Sequence, residues 1–208
     1  DINEVGNRIV IGSIIAGTTG TIIEPGVVKI YELGGMTWNQ LGQDLVGSTG
    51  GDQFGYSVRM NALGDIVAIG SPWIDTMGAN NGQVRVFQYT SMSSTWHQIG
   101  QTLNGELADD LFGQGLAINY SGNRIAVGGE NNDLTNNIIN DQSGLTTVYE
   151  LQSGVWNKVS QFIYGSSGSN SGREIVLNAD GSRVAIGAYN QGNTRGQTRV
   201  YGLEYTLC

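Results

Sequence analysis

The densest group of acidic side chains is Asp109-Asp110, with Glu106 three residues earlier. Paired carboxylates in one loop could hold a hard cation or share acid/base work. More often such a pair simply caps a turn, so Asp109 and Asp110 are weak metal candidates. His97 is the only histidine, and a two-His metal site or a Ser/His/Asp relay cannot be assembled around it. The single cysteine, Cys208, closes no internal disulfide and lacks a CxxC partner for zinc. No P-loop, HExxH or GxSxG segment is present. No catalytic residue is therefore nominated, and no cofactor is expected. What remains is recognition. Trp73 and Asp75 after Pro72, the acids Glu130 and Asp133, and Asp109 and Asp110 are the candidate ligand contacts.

The elements that would position these residues come from a repeat. Gly6-Asn7-Arg8-Ile9-Val10-Ile11-Gly12 returns at Gly64–Gly70, Gly122–Gly128 and Gly181–Gly187, with spacings of 58, 58 and 59 residues between the leading glycines. A second segment alternates apolar and polar residues, as in Gly82-Gln83-Val84-Arg85-Val86-Phe87, which reads as a half-buried strand. A third opens on Trp38, Trp96 or Trp156, and a fourth reads Phe54-Gly55-Tyr56-Ser57-Val58, Phe112-Gly113-Gln114-Gly115-Leu116 or Ser171-Gly172-Arg173-Glu174-Ile175. Each unit thus holds four short strands, A to D, with strand A the fourth segment and no convincing helix. Such units repeated radially predict an all-β propeller of four-stranded antiparallel blades. About four blades are present, roughly residues 1–51, 52–109, 110–168 and 169–208, taken as one domain. The A–B connection places Asn first and Gly fourth, as in Asn119-Tyr120-Ser121-Gly122. Asn can cap such a turn with its side chain and Gly accepts the positive φ that closes it.

Composition agrees. The 208 residues include 33 Gly but only 2 Pro, 39% are hydrophobic, and no apolar run is long enough for a membrane helix. Net charge is −8, which disfavours nucleic acid and anionic membranes. Nine of the 18 acids fall in the B–C and D–A loops against only Arg195. The B–C loops vary in length, with 13, 11, 15 and 8 residues between flanking glycines. Variable, acidic loops on a fixed scaffold mark that face as the expected interaction face. Arg8, Arg124 and Arg183 recur one residue into strand B and are expected to pair across blades.

Phe54-Gly55 followed by Gly70-Ser71-Pro72 resembles the FG-GAP repeat of integrin α-subunit propellers. Phe112-Gly113 with Gly128-Gly129, and Ser171-Gly172 with Gly187-Ala188, are weaker copies. The resemblance implies a secreted or cell-surface, non-enzymatic adhesion module that binds a protein or carbohydrate ligand. A glycan-active propeller enzyme and a structural repeat of a larger protein are the alternatives. FG-GAP repeats often carry a calcium loop between strands A and B; here that turn holds at most one carboxylate, as at Asp180, so calcium is not expected there.

The first copy lacks most of strand A and the last lacks strand D, giving fourteen strands. The first residue is Asp rather than Met, consistent with a processed or excised stretch. A piece of a longer propeller, a four-bladed ring with two thin blades, and pairing of open edges with a second copy all fit.

Overall fold

The computed structural model describes residues 1–14, 25–76, 78–131, 142–159, 161–190 and 196–203. These residues form four antiparallel sheets and no helix. Blade 1 is β1 (Arg8–Ser13), β2 (Val27–Gly34), β3 (Thr37–Gln40) and the two-residue β4 (Leu45–Val46). Blade 2 is β5 (Ser57–Met60), β6 (Ile66–Ser71), β7 (Gln83–Thr90), β8 (Thr95–Gln98) and β9 (Leu103–Asn104). Blade 3 repeats this as β10 (Gly115–Ile118), β11 (Arg124–Gly129), β12 (Leu145–Gln152), β13 (Val155–Lys158) and β14 (Ile163–Tyr164). Blade 4 is β15 (Ser171–Leu177), β16 (Arg183–Ala188) and β17 (Gln197–Gly202).

The all-β propeller reading holds, with each B strand between A and C in blades 2 to 4. The fourteen expected strands are present. The short strands β4, β9 and β14 were not anticipated; each continues the edge of the C strand beyond strand D. In blade 1, strand A survives only as the Ile2–Ile9 bridge.

The core lies between blades rather than within them. Val10, Val28 and Ile30 of blade 1 pack against Val67, Ile69 and Phe87 of blade 2. On the other side of the same sheet, Ala68, Val84 and Val86 meet Leu116, Ile125 and Val127 of blade 3. Strand β6 is therefore buried at every residue, because each face meets a different neighbour. That explains why the B segments read as almost continuous apolar runs.

Polar staples fix the angle between blades. The Trp96 indole N–H donates to the Leu41 carbonyl at 2.8 Å, while Gln43 exchanges two hydrogen bonds with the Trp96 backbone. Trp156 repeats this with Ile99 and Gln101. Arg8 pairs with Glu32 and reaches the Gly64 carbonyl of the next blade; Arg124 does the same with Glu150 and Gly181. Of the three recurring arginines, the cross-blade role is thus observed for Arg8 and Arg124. The A–B turns are capped as expected: Asn61 Oδ1 accepts from the Asp65 and Ile66 N–H groups, and Gly64 has φ +71°.

No helix among the described residues is long and apolar enough to cross a membrane.

Candidate active site at the channel mouth

The site is built by a repeated backbone irregularity. In each complete A strand a glycine sits just before the regular ladder: Gly55, Gly113 and Gly172, with φ of +92°, +93° and +102°. In β15 the register with β16 slips between Ser171 and Ile175 at this point. Bulges of this kind re-aim the following side chain, and a glycine meets the φ they demand. The residues that follow are Tyr56, Gln114 and Arg173. Opposite them, just beyond strand B, stand Trp73, Glu130 and Tyr189.

They fall into two contacting groups, Gln114, Glu130, Arg173 and Tyr189 in one and Tyr56 with Trp73 in the other. Gln114 Nε2 donates to Glu130 Oε1 at 2.7 Å, and Arg173 Nη1 lies 3.6 Å from the same oxygen. Glu130 is buried, whereas nearly half of the Arg173 side chain is exposed. Glu130 Oε2 and Gln114 Oε1 are buried with no hydrogen-bond partner among the described residues. The Arg173 guanidinium stands 5.9 Å from the Tyr189 ring centroid. The adjacent Glu130 carboxylate raises the Arg173 pKa, so the group stays charged. Burial raises the Tyr189 phenol, with Glu130 adding to the shift and Arg173 opposing it. Tyr56 packs edge-on against Trp73 at 4.8 Å. This mouth, where the ends of the A and B strands meet, therefore presents a cation held by a buried carboxylate and a protonated phenol, with an aromatic pair on the neighbouring blade. That set can bind an electron-rich oxygen and move a proton beside it.

The sequence-nominated residues separate. Glu130 is at the centre of this cluster. Trp73 and Asp75 line an adjoining cleft, where Asp75 accepts the Asn80 N–H at 2.7 Å. Asp109 accepts from the Asn80 side chain at 2.9 Å. Asp110 is buried and accepts the Leu107 N–H at 2.9 Å, as Asp52 does for Thr49 one blade earlier. Both carboxylates thus cap the D–A turn. Burial pushes the Asp52 carboxyl up, although the Thr49 N–H and nearby Arg85 pull it down. Among the described residues no group of three or more His, Cys, Asp and Glu is placed to hold a metal. Asp133 lies outside the described residues. His97 is on the surface beside Thr90.

Arg173, Gln114, Tyr56 and Tyr189 were not nominated. The available signal was that the position after each bulge glycine varies while its surroundings repeat.

No family model matches this chain, and no curated protein matches it. Solved structures do. The Pseudomonas aeruginosa periplasmic gluconolactonase is 12% identical, with a TM-score of 0.55 over all of this chain and 57% of its own. The tricorn protease is 8% identical, with a TM-score of 0.51 over 97% of this chain and 21% of its own. A Bacteroides uniformis protein provisionally named a 6-phosphogluconolactonase is 13% identical, with a TM-score of 0.49 over 98% of this chain and 54% of its own. The chain spans about half the length of the two lactonase-type structures. At these identities the likeness is one of fold.

The integrin resemblance is corrected by these findings: no FG-GAP family matches, and the solved structures of similar fold named above are not integrins. The motif has a packing cause instead. A Cβ on Gly12, Gly70 or Gly128 would lie about 2 Å from the carbonyl oxygen of Gly55, Gly113 or Gly172 in the following blade. Phe54 is fully buried between blades 1 and 2. Phe-Gly and the later glycine therefore recur because backbones touch there. The non-enzymatic adhesion reading, with its integrin-like and cell-adhesion features, rested on that motif. It is withdrawn, since the gluconolactonase and the protease of similar fold reported above are named as enzymes.

Proposed function

We propose that the chain forms part of a propeller enzyme acting on a sugar or a sugar-derived lactone, with the channel mouth as its reaction site. The carrying observation is the buried Glu130 carboxylate, held by Gln114 and Arg173 where blades 3 and 4 meet. The gluconolactonase name attached to a propeller of similar fold supports the substrate class. The same name supports a periplasmic or extracellular setting. The A–B turns take no part, and no calcium there is required.

In this reading Glu130 takes a proton from a water that attacks the lactone carbonyl carbon. Arg173 and Tyr189 donate to the oxygen that becomes negative, where fixed donors act most strongly on the barrier. The ring C–O bond then breaks and its oxygen takes up the proton held by Glu130. Tyr56 and Trp73 offer an apolar surface to the sugar ring.

The test is ring opening of glucono-lactones by the full-length protein, followed as acid release. Glu130→Gln should lower kcat by about 10²-fold or more, with the melting temperature retained. Asp65→Asn, in an A–B turn, should leave turnover unchanged. Full activity in Glu130→Gln, or no turnover of any lactone or glycoside by the full-length protein, would overturn the reading.

A further inference from the structure

Beside the mouth lies a cleft of about 510 Å³, between residues 49–53 of the D–A loop and residues 73–76 and 80 of the B–C loop. That volume suits a small-molecule site. Its wall combines the half-buried Trp73 indole with Asp52, Asp75, Thr49 and Asn80. No Lys or Arg lines it among the described residues. Its walls are tied down: Asn81, fully buried, bonds to Thr76 and the Gly105 carbonyl, and Asp52 holds Thr49. A site held before binding loses less entropy on binding. The Tyr56–Trp73 contact joins the cleft directly to the mouth.

We infer that this cleft binds a neutral pyranose ring, as a subsite continuous with the channel mouth. An indole offers an apolar surface to the C–H face of a sugar. Carboxylate and amide groups beside it accept from and donate to hydroxyls, as sites that recognise hydroxylated ligands do. Arg85 acts on Asp52 but does not line the cleft, and no Lys or Arg among the described residues does, so Asp52 and Asp75 disfavour an anionic sugar there. The mouth differs: it carries Arg173, so the anion-tolerant and anion-rejecting parts of the surface are adjacent and distinct. The inference extends the sugar reading of the mouth, and substrates longer than one ring would span both.

Binding, rather than turnover, separates the two proposals. Cellobiose and glucose 6-phosphate are titrated into the full-length protein while amide shifts of residues 48–53 and 73–80 are followed by NMR. Cellobiose should perturb both loops, and glucose 6-phosphate should bind them at least about tenfold more weakly. Trp73→Ala should abolish the cellobiose shifts, and Asp75→Asn should narrow the gap between the two sugars, which guards against misfolding of the tryptophan variant. Glu130→Gln should keep the cellobiose shifts, so loss of its turnover alone bears on the mouth. The inference is overturned if cellobiose leaves the loops unperturbed, if glucose 6-phosphate binds there as well, or if Trp73→Ala binds cellobiose normally.

Discussion

Trp38, Trp96 and Trp156 occupy one position in three copies of the repeat, yet they live in different surroundings. Trp96 and Trp156 are 3% and 2% exposed, each stapled to the blade before it; Trp38 is 42% exposed. The same contrast runs through strand B. Ile69 and Val127 are fully buried, whereas Ile11 is exposed. Val86 and Val148 are buried in strand C, whereas Val200 of blade 4 is exposed. A repeat position thus carries stability only where a second blade covers it, since the favourable term is the area removed from water.

Three tests would break or sharpen this contrast. The largest effect is expected at the stapled tryptophans. Trp156→Ala should cost about 3–5 kcal/mol, in the range of buried aromatic truncations. Trp38→Ala should cost well under about 1 kcal/mol. Urea unfolding of both variants measures the difference, and equal losses would show that the end blade is covered in solution.

A smaller effect is expected from crowding. At Gly128 an added Cβ would meet the Gly172 carbonyl oxygen; at the equivalent Gly187 the nearest atom is 3.4 Å away. Gly128→Ala should therefore destabilise by at least about 1–3 kcal/mol through overpacking. Gly187→Ala should be nearly neutral, and its melting temperature should match the parent's.

The smallest effect concerns Asp52, in the interior D–A turn. Burial raises its folded-state pKa above the ordinary carboxylate value. A carboxyl of that kind binds its proton more tightly when folded, so its contribution to stability is complete below the unfolded pKa. That contribution is lost as pH rises through the raised folded value. Asp52→Asn should remove this step while still accepting the Thr49 N–H. The check is the slope of unfolding free energy against pH from the ordinary carboxylate pKa upward; an unchanged slope would assign the step elsewhere.

Much of the architecture was legible because blade chemistry is local. Asn61, Asn119 and Asn178 lie a few residues from the N–H groups they cap, so the turn shows as Asn-x-x-Gly in the sequence. The Trp positions recur because every covered copy meets the same carbonyl. The Phe-Gly pairs were equally visible and were misassigned: a motif forced by backbone contact was read as the mark of an adhesion family.

The candidate site followed another rule. Glu130 was one of six candidate ligand contacts, and Gln114, Arg173 and Tyr189 were not nominated. Their repeat positions hold Tyr56, Gln114 and Arg173 in successive blades, so no residue type recurs and no motif forms. By itself the sequence determined the fourteen longer strands, their order within a blade and the capped turns, because these depend on periodicity and on contacts within a hairpin. Only the tertiary structure decided which tryptophans are buried and which side chains share the mouth. Gln114, Glu130, Arg173 and Tyr189 meet through the packing of blade 3 on blade 4, and that geometry is set by backbone contact at glycines, which carry no side chain to announce what will stand beside them.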